Sequence, residues 1–151
     1  FEKYKVLSKE ETHSRVDVML DQYSHHVNIE AQTAIRMTET QYIPAVIQFT
    51  KQLADTVVAL KSAGAASKVQ EELLKKVSTK LESAAKNLQA LREVQVFAKS
   101  QKSAEGYADA CRDKTMPALK TLRDDIDAIE LLTDANVWPV PTYVDLLFGI
   151  H

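Results

Sequence analysis

Three glycines and four prolines among 151 residues leave little turn chemistry. A many-stranded sandwich or barrel needs such residues at its reversals, so an all-β fold is excluded and long helices are favoured, the more so with 18 alanines present. Cysteine is almost missing: Cys111 stands alone, which rules out an intramolecular disulfide and the zinc and c-type haem motifs that need two or more thiols. Long apolar runs are missing as well. Nothing approaches the ~20 residues that span a bilayer, and the opening Phe1-Glu2-Lys3-Tyr4-Lys5 lacks the apolar core of a signal peptide. These absences point to a reducing, cytoplasmic setting with no membrane partner. Nineteen basic against 21 acidic residues give a formal charge of −2, so there is no basic footprint for nucleic acid. The chain opens without methionine, which fits a piece of a longer protein and equally a processed start.

What is present is one domain's worth of helix-forming sequence. With 45% hydrophobic and 26% charged residues, the chain belongs with soluble globular proteins, and a chain of this length buries roughly 70% of its unfolded surface. Ser8-Lys9-Glu10-Glu11 reads as a capping box opening a helix. From there Val16, Met19 or Leu20, Tyr23, Val27, Ala31, Ala34, Thr38, Tyr42, Val46, Phe49, Leu53, Val57 and Leu60 recur at three- and four-residue steps. The stripe predicts a single helix over about 8–61, roughly 80 Å long at 1.5 Å per residue. Pro44 lacks an amide and crowds the Thr40 carbonyl, which predicts a bend there and not a stop.

Gly64, in the small-residue cluster Ser62 to Ala66, is placed to close that helix in the left-handed conformation. Ser67-Lys68-Val69-Gln70 reads as a second capping box, followed by Leu74, Val77, Leu81, Ala84, Leu88, Leu91, Gln95 and Ala98, a second helix over about 68–101. Tyr107, Cys111, Ala118, Leu122, Ile126 and Ile129 form a third stripe over about 103–132, with Pro117 inside it. The expectation is an all-α antiparallel three-helix bundle whose very long first helix overhangs its partners over residues of about 8–26. An overhanging amphipathic stretch wants another surface, either a further domain or a second subunit. The Pro-rich tail over 136–149, with Trp138, Pro139, Pro141, Tyr143, Leu146, Leu147 and Phe148, is expected to fold back onto the bundle or clip onto a neighbour.

Motifs for chemistry are thin. Glu10-x-x-His13 matches one unit of a di-iron bundle, but such a site takes two units and two further carboxylates. Near the start of a helix, Glu10 is favoured by the macrodipole in any case. His25 and His26 with Glu30 offer an i, i+4 pair without a third ligand. With three glycines, no phosphate loop or nucleophile elbow can be assembled. Lys75-Lys76 and Arg123-Asp124-Asp125 read as solvated faces. Tyr23, Tyr42, Phe49, Phe97 and Tyr107 read as core aromatics, and Cys111 as a small buried hydrophobe. The expected catalytic, cofactor-binding and metal residues are therefore none.

Two stretches go beyond generic helix grammar: Asn28-Ile29-Glu30-Ala31-Gln32-Thr33-Ala34-Ile35-Arg36-Met37 running to Gln41-Tyr42-Ile43-Pro44-Ala45-Val46, and Trp138-Pro139-Val140-Pro141-Thr142-Tyr143-Val144-Asp145-Leu146-Leu147-Phe148. Together they resemble the C-terminal region of type III glutamine synthetase, the tail being the specific part. That resemblance implies a cytoplasmic ligase joining glutamate and ammonia with ATP and Mg or Mn, built as a dodecamer of two hexameric rings. It implies that the metal and nucleotide ligands lie in an upstream catalytic domain, since no position here matches any of them. This segment is then a scaffold that contacts the upstream domain and other subunits, without nucleic acid or membrane. The other reading left open by the residues is a stand-alone helical interaction or sensory bundle.

Overall fold

We describe residues 7–141 and 143–149 in a computed structural model. All elements among these residues are helical: α1 (Lys9–Met37), a π-helical turn (Thr38–Tyr42), α2 (Ile43–Ser62), α3 (Lys68–Lys99), α4 (Ala104–Ala110), a second π-helical turn (Cys111–Thr115), α5 (Met116–Glu130) and α6 (Tyr143–Phe148). They form the expected all-α arrangement of three rods. The first rod is α1 through α2, 54 residues without a break. The second is α3, and the third runs from α4 through α5.

The first rod begins on the capping box. The Glu11 amide donates to Ser8 Oγ at 3.1 Å, and the Ser8 amide donates to Glu11 Oε2 at 2.7 Å. The bend expected at Pro44 takes the form of a π turn. The Ile43 amide reaches the Thr38 carbonyl, five residues back, just before the proline that cannot donate at all. Widening the turn by one residue accommodates the ring without stopping the helix. The third rod solves the same problem in the same way, with the Met116 amide bonded to the Cys111 carbonyl ahead of Pro117.

The rod closes in a left-handed cap. Gly64 sits at φ 70°, its amide donates to the Lys61 carbonyl at 3.1 Å, and the Ala65 amide donates to the Leu60 carbonyl at 2.9 Å. The second capping box does not form. Ser67 is followed directly by α3, but its hydroxyl turns to the Glu71 carboxylate, which Lys61 also holds at 3.1 Å. The side chain thus ties the reversal to α3 in place of capping the helix. Ser103 does cap the third rod, accepting from the Gly106 amide at 3.1 Å.

The second rod is the centre of the packing. Val77, Ala84, Leu88 and Leu91 on α3 are buried between Val46 and Phe49 of the first rod and Leu122, Ile126 and Ile129 of the third. The reversal and the beginning of the third rod correct the expected overhang. Gln95 Nε2 donates to the Asn28 carbonyl at 3.3 Å, so α3 ends level with that part of α1, and α4 then lies further along α1. Ser24 and Val27 are buried, and Cys111 packs against Ser24. Cover therefore extends to about Leu20. Beyond it Val16 is 47% and Met19 68% exposed, continuing the stripe into open space. Tyr23 and Phe97, expected in the core, are also exposed. Phe97 instead carries the Lys114 ammonium 3.6 Å from its ring centroid.

Leu122, 1% exposed at the meeting of α3 and α5, tests the packing. Leu122→Ala is expected to cost about 2–5 kcal/mol, against less than ~0.5 kcal/mol for Val96→Ala on the outer face of α3, read as shifts of the denaturant midpoint.

Candidate functional site

The tail returns to the bundle at one point. A turn built on Asp134, whose carbonyl accepts from the Val137 and Trp138 amides at 2.9 and 3.0 Å, swings Trp138 under the first rod. Asp134 Oδ1 fixes the same turn by accepting from the Asn136 amide at 2.8 Å. Trp138 is 6% exposed and stacks on Tyr42 with ring centroids 5.1 Å apart and planes 12° from parallel. Val137 and Val140 pack beside it, while Pro139 and Pro141 face solvent. Tyr143 opens α6, on which Leu146, Leu147 and Phe148 are all exposed. The candidate tail residues thus divide: Trp138 is seated on the bundle, and the apolar end of α6 is presented outward.

Beside the Tyr42–Trp138 stack, a cleft of about 940 Å³ opens between α1 and α5 and is flanked by the tail. Its floor is apolar. Its rim carries Glu30, Asp127 and Glu130, with Arg123 bonded to Asp127 at 3.4 Å. Burial raises the pKa of the Tyr42 phenol, and the carboxylates of Glu130 and Asp127 raise it further.

A polar clamp joins the second and third rods, and it escaped the sequence reading of Arg123-Asp124-Asp125 as a solvated face. Asp125 is buried. It accepts from Ser83 Oγ at 2.6 Å, Asn87 Nδ2 at 2.7 Å and Lys80 Nζ at 3.2 Å. Burial pushes its pKa up, but these donors outweigh burial, and the net shift is below the usual carboxylate value. Spacing could have revealed it: Asp125 lies three residues after Leu122 and four before Ile129, on the buried stripe. A second cross-link, Arg92 to Glu39, ties α3 to the first π turn.

The metal-ligand candidates are not brought together. Glu10, His13, His25, His26 and Glu30 are all exposed, and among the described residues no three His, Cys, Asp or Glu side chains are grouped to hold an ion. A nucleotide with its metal does not fit this donor set. Asp125, the buried carboxylate, is already engaged by three donors, and Gly64 lies in an exposed reversal with no phosphate-cradling loop. Nor is any helix among the described residues long and apolar enough to cross a membrane.

Comparison with known proteins points one way. Residues 1–61 match the family described as glutamine synthetase C-terminal domain. Over 150 residues the chain is 23% identical to a glutamine synthetase of Bacteroides fragilis, covering 95% of this chain and 21% of that protein. It is 23% identical over 158 residues to the type-3 glutamine synthetase of Dictyostelium discoideum, covering 98% and 21%. A glutamine synthetase of Butyrivibrio fibrisolvens is 25% identical over 153 residues, covering 100% and 22%. The chain thus spans about a fifth of the length of these relatives.

Two measurements test the site. Because the Asp125 pKa is depressed in the folded state, its contribution to stability is complete above the unfolded value near 4 and is lost as pH falls through the folded one. Asp125→Asn is therefore expected to cost about 1–3 kcal/mol at pH 7 and to flatten the acid limb of a melting-temperature profile. Trp138→Ala is expected to cost about 3 kcal/mol, against under ~0.5 kcal/mol for Phe148→Ser, read by thermal melting.

Proposed function

We propose that this chain, which is similar to the C-terminal domain of glutamine synthetases, is such a domain and a non-catalytic scaffold of its parent enzyme. The parent joins glutamate and ammonia at the expense of ATP, with Mg or Mn, in a catalytic domain upstream in the same polypeptide. It works in the cytoplasm as an assembly of two hexameric rings. The present helices supply none of the reacting groups.

The observation that carries this reading is the leading part of α1. Val16 and Met19 continue the buried stripe of the first rod but are exposed beyond the start of the third. Apolar residues at helical spacing, on a helix held rigid by 54 continuous residues, form a preshaped face for another folded surface. We assign that surface to the catalytic domain. Four-fifths of the relatives' length lies outside the chain, and the resemblance puts the catalytic domain on the N-terminal side, where this rod begins.

The test uses the full-length enzyme. Val16→Asp with Met19→Asp is expected to loosen the contact between the domains, read as a lower melting temperature and faster limited proteolysis between them. Unchanged melting and unchanged proteolysis would refute the scaffold assignment of this face. A separate expectation concerns the 151-residue chain alone. Calorimetry with ATP or glutamate is expected to show no binding, and micromolar affinity for either would overturn the non-catalytic reading.

A further inference from the structure

Three rods packed side by side leave a place for a fourth. α3 packs against both α2 and α5, whereas α1 and α5 scarcely touch each other. On the side away from α3, Trp138 plugs one end of the gap by stacking on Tyr42. The rest stays open as the 940 Å³ cleft, running along residues 29–42 of the first rod and 119–131 of the third. At 1.5 Å per residue each wall is roughly 18–20 Å long, which is the length of about three helical turns. The floor and walls include Ile29, Met37, Leu119 and Val140, with Leu131 87% and Leu146 72% exposed. A trough between two helices, apolar below and polar at the rim, is the shape in which amphipathic helices are received.

The charge of the rim selects among occupants. It has three carboxylates, Glu30, Asp127 and Glu130, against one guanidinium, Arg123, which is already bonded to Asp127. The phenol of Tyr42 feels the same negative field. A second copy of the chain offers two apolar segments, and neither suits that field. The exposed part of α1 carries Glu10, Glu11, Asp17 and Asp21 against Lys9 and Arg15, and α6 has only six residues, with Asp145 among them. Like charges facing one another across an interface oppose pairing. We propose that the slot between α1 and α5 receives a basic amphipathic helix of about three turns, supplied by a polypeptide other than this chain. Its apolar residues at i, i+3 or i+4 and i+7 enter the trough, and its flanking Lys or Arg residues pair with Glu30, Asp127 and Glu130. The bundle thereby becomes four-helical. This inference is independent of the face assigned to the catalytic domain, which lies at the far end of α1.

The experiment titrates the chain with a labelled synthetic helix of about 14 residues, Leu at the i, i+3/i+4, i+7 positions and Lys on both flanks, and with a twin carrying Glu for Lys. The expected result is that the Lys peptide binds at least roughly tenfold more tightly than its twin and weakens as salt is raised. Saturable binding should also perturb the fluorescence of Trp138, the only tryptophan. Glu30→Lys with Glu130→Lys is expected to reverse the preference, and Leu131→Asp to abolish binding of both peptides. Leu131 and Glu30 are exposed and Glu130 is half-buried, with none of them in the core, so these variants are expected to fold, which the melting temperature measured alongside checks. Equal affinity for the two peptides, binding unaffected by Leu131→Asp, or self-association of the chain that Leu131→Asp removes would each overturn the proposal. The last outcome would assign the slot to a second copy.

Discussion

The fold depends on α3 being apolar on two flanks. Val77, Ala84, Leu88 and Leu91 offer surface to both of the other rods, so burying one neighbour leaves the helix still needing the other. The outer rods meet each other mainly where α4 lies along α1, so between α2 and α5 only α3 joins them. Antiparallel order follows from short connections on either side: the left-handed cap at Gly64 and the Ser100-to-Ser103 turn that Ser103 closes. The Asp125 clamp adds direction to this contact. An apolar stripe tolerates sliding, whereas a carboxylate with donors at Lys80, Ser83 and Asn87 is satisfied in one register of α5 on α3.

The two prolines show how a long rod survives an interior residue that cannot donate. A break at Pro44 would have released α1 from α2 and left the stripe from Val27 to Val57 in two unrelated pieces. A π turn immediately before the proline keeps the backbone bonded and the apolar face continuous. The cost is local: Tyr42 ends the widened turn only half-buried, and Trp138 covers it from the tail. Bundle and tail are thus coupled at the kink, which is why the tail's single tryptophan matters more to the fold than the exposed apolar residues of α6.

Much of this was legible in the amino-acid order. Ser8 with Glu11, Gly64, and the three- and four-residue spacing of Val77, Ala84, Leu88 and Leu91 each have a local physical cause and were read correctly. What escaped depends on relations between rods. Ser67 follows the capping-box pattern, yet its hydroxyl is drawn to Glu71, held in turn by Lys61 from the preceding helix. Asp125 stands in the charged run Arg123-Asp124-Asp125, which masks its place on the buried stripe of α5. The overhang is shorter than the stripe alone predicts because its extent depends on where α4 lies along α1, a distance that periodicity does not encode. The cleft between α1 and α5 was invisible for the same reason, since its lining residues come from three separate stretches of chain.

The uninterrupted first rod has a mechanical consequence. From Pro44 to its leading end at Lys9 the helix extends roughly 50 Å, so a free tilt of about 5° at the widened turn would move the tip by about 4 Å. Tyr42 and Trp138 stack beside that turn, while Arg92 on Glu39, Gln95 on Asn28 and α4 brace the arm along its way, so that only its outermost part, past Leu20, stands clear like the tip of a buttressed mast.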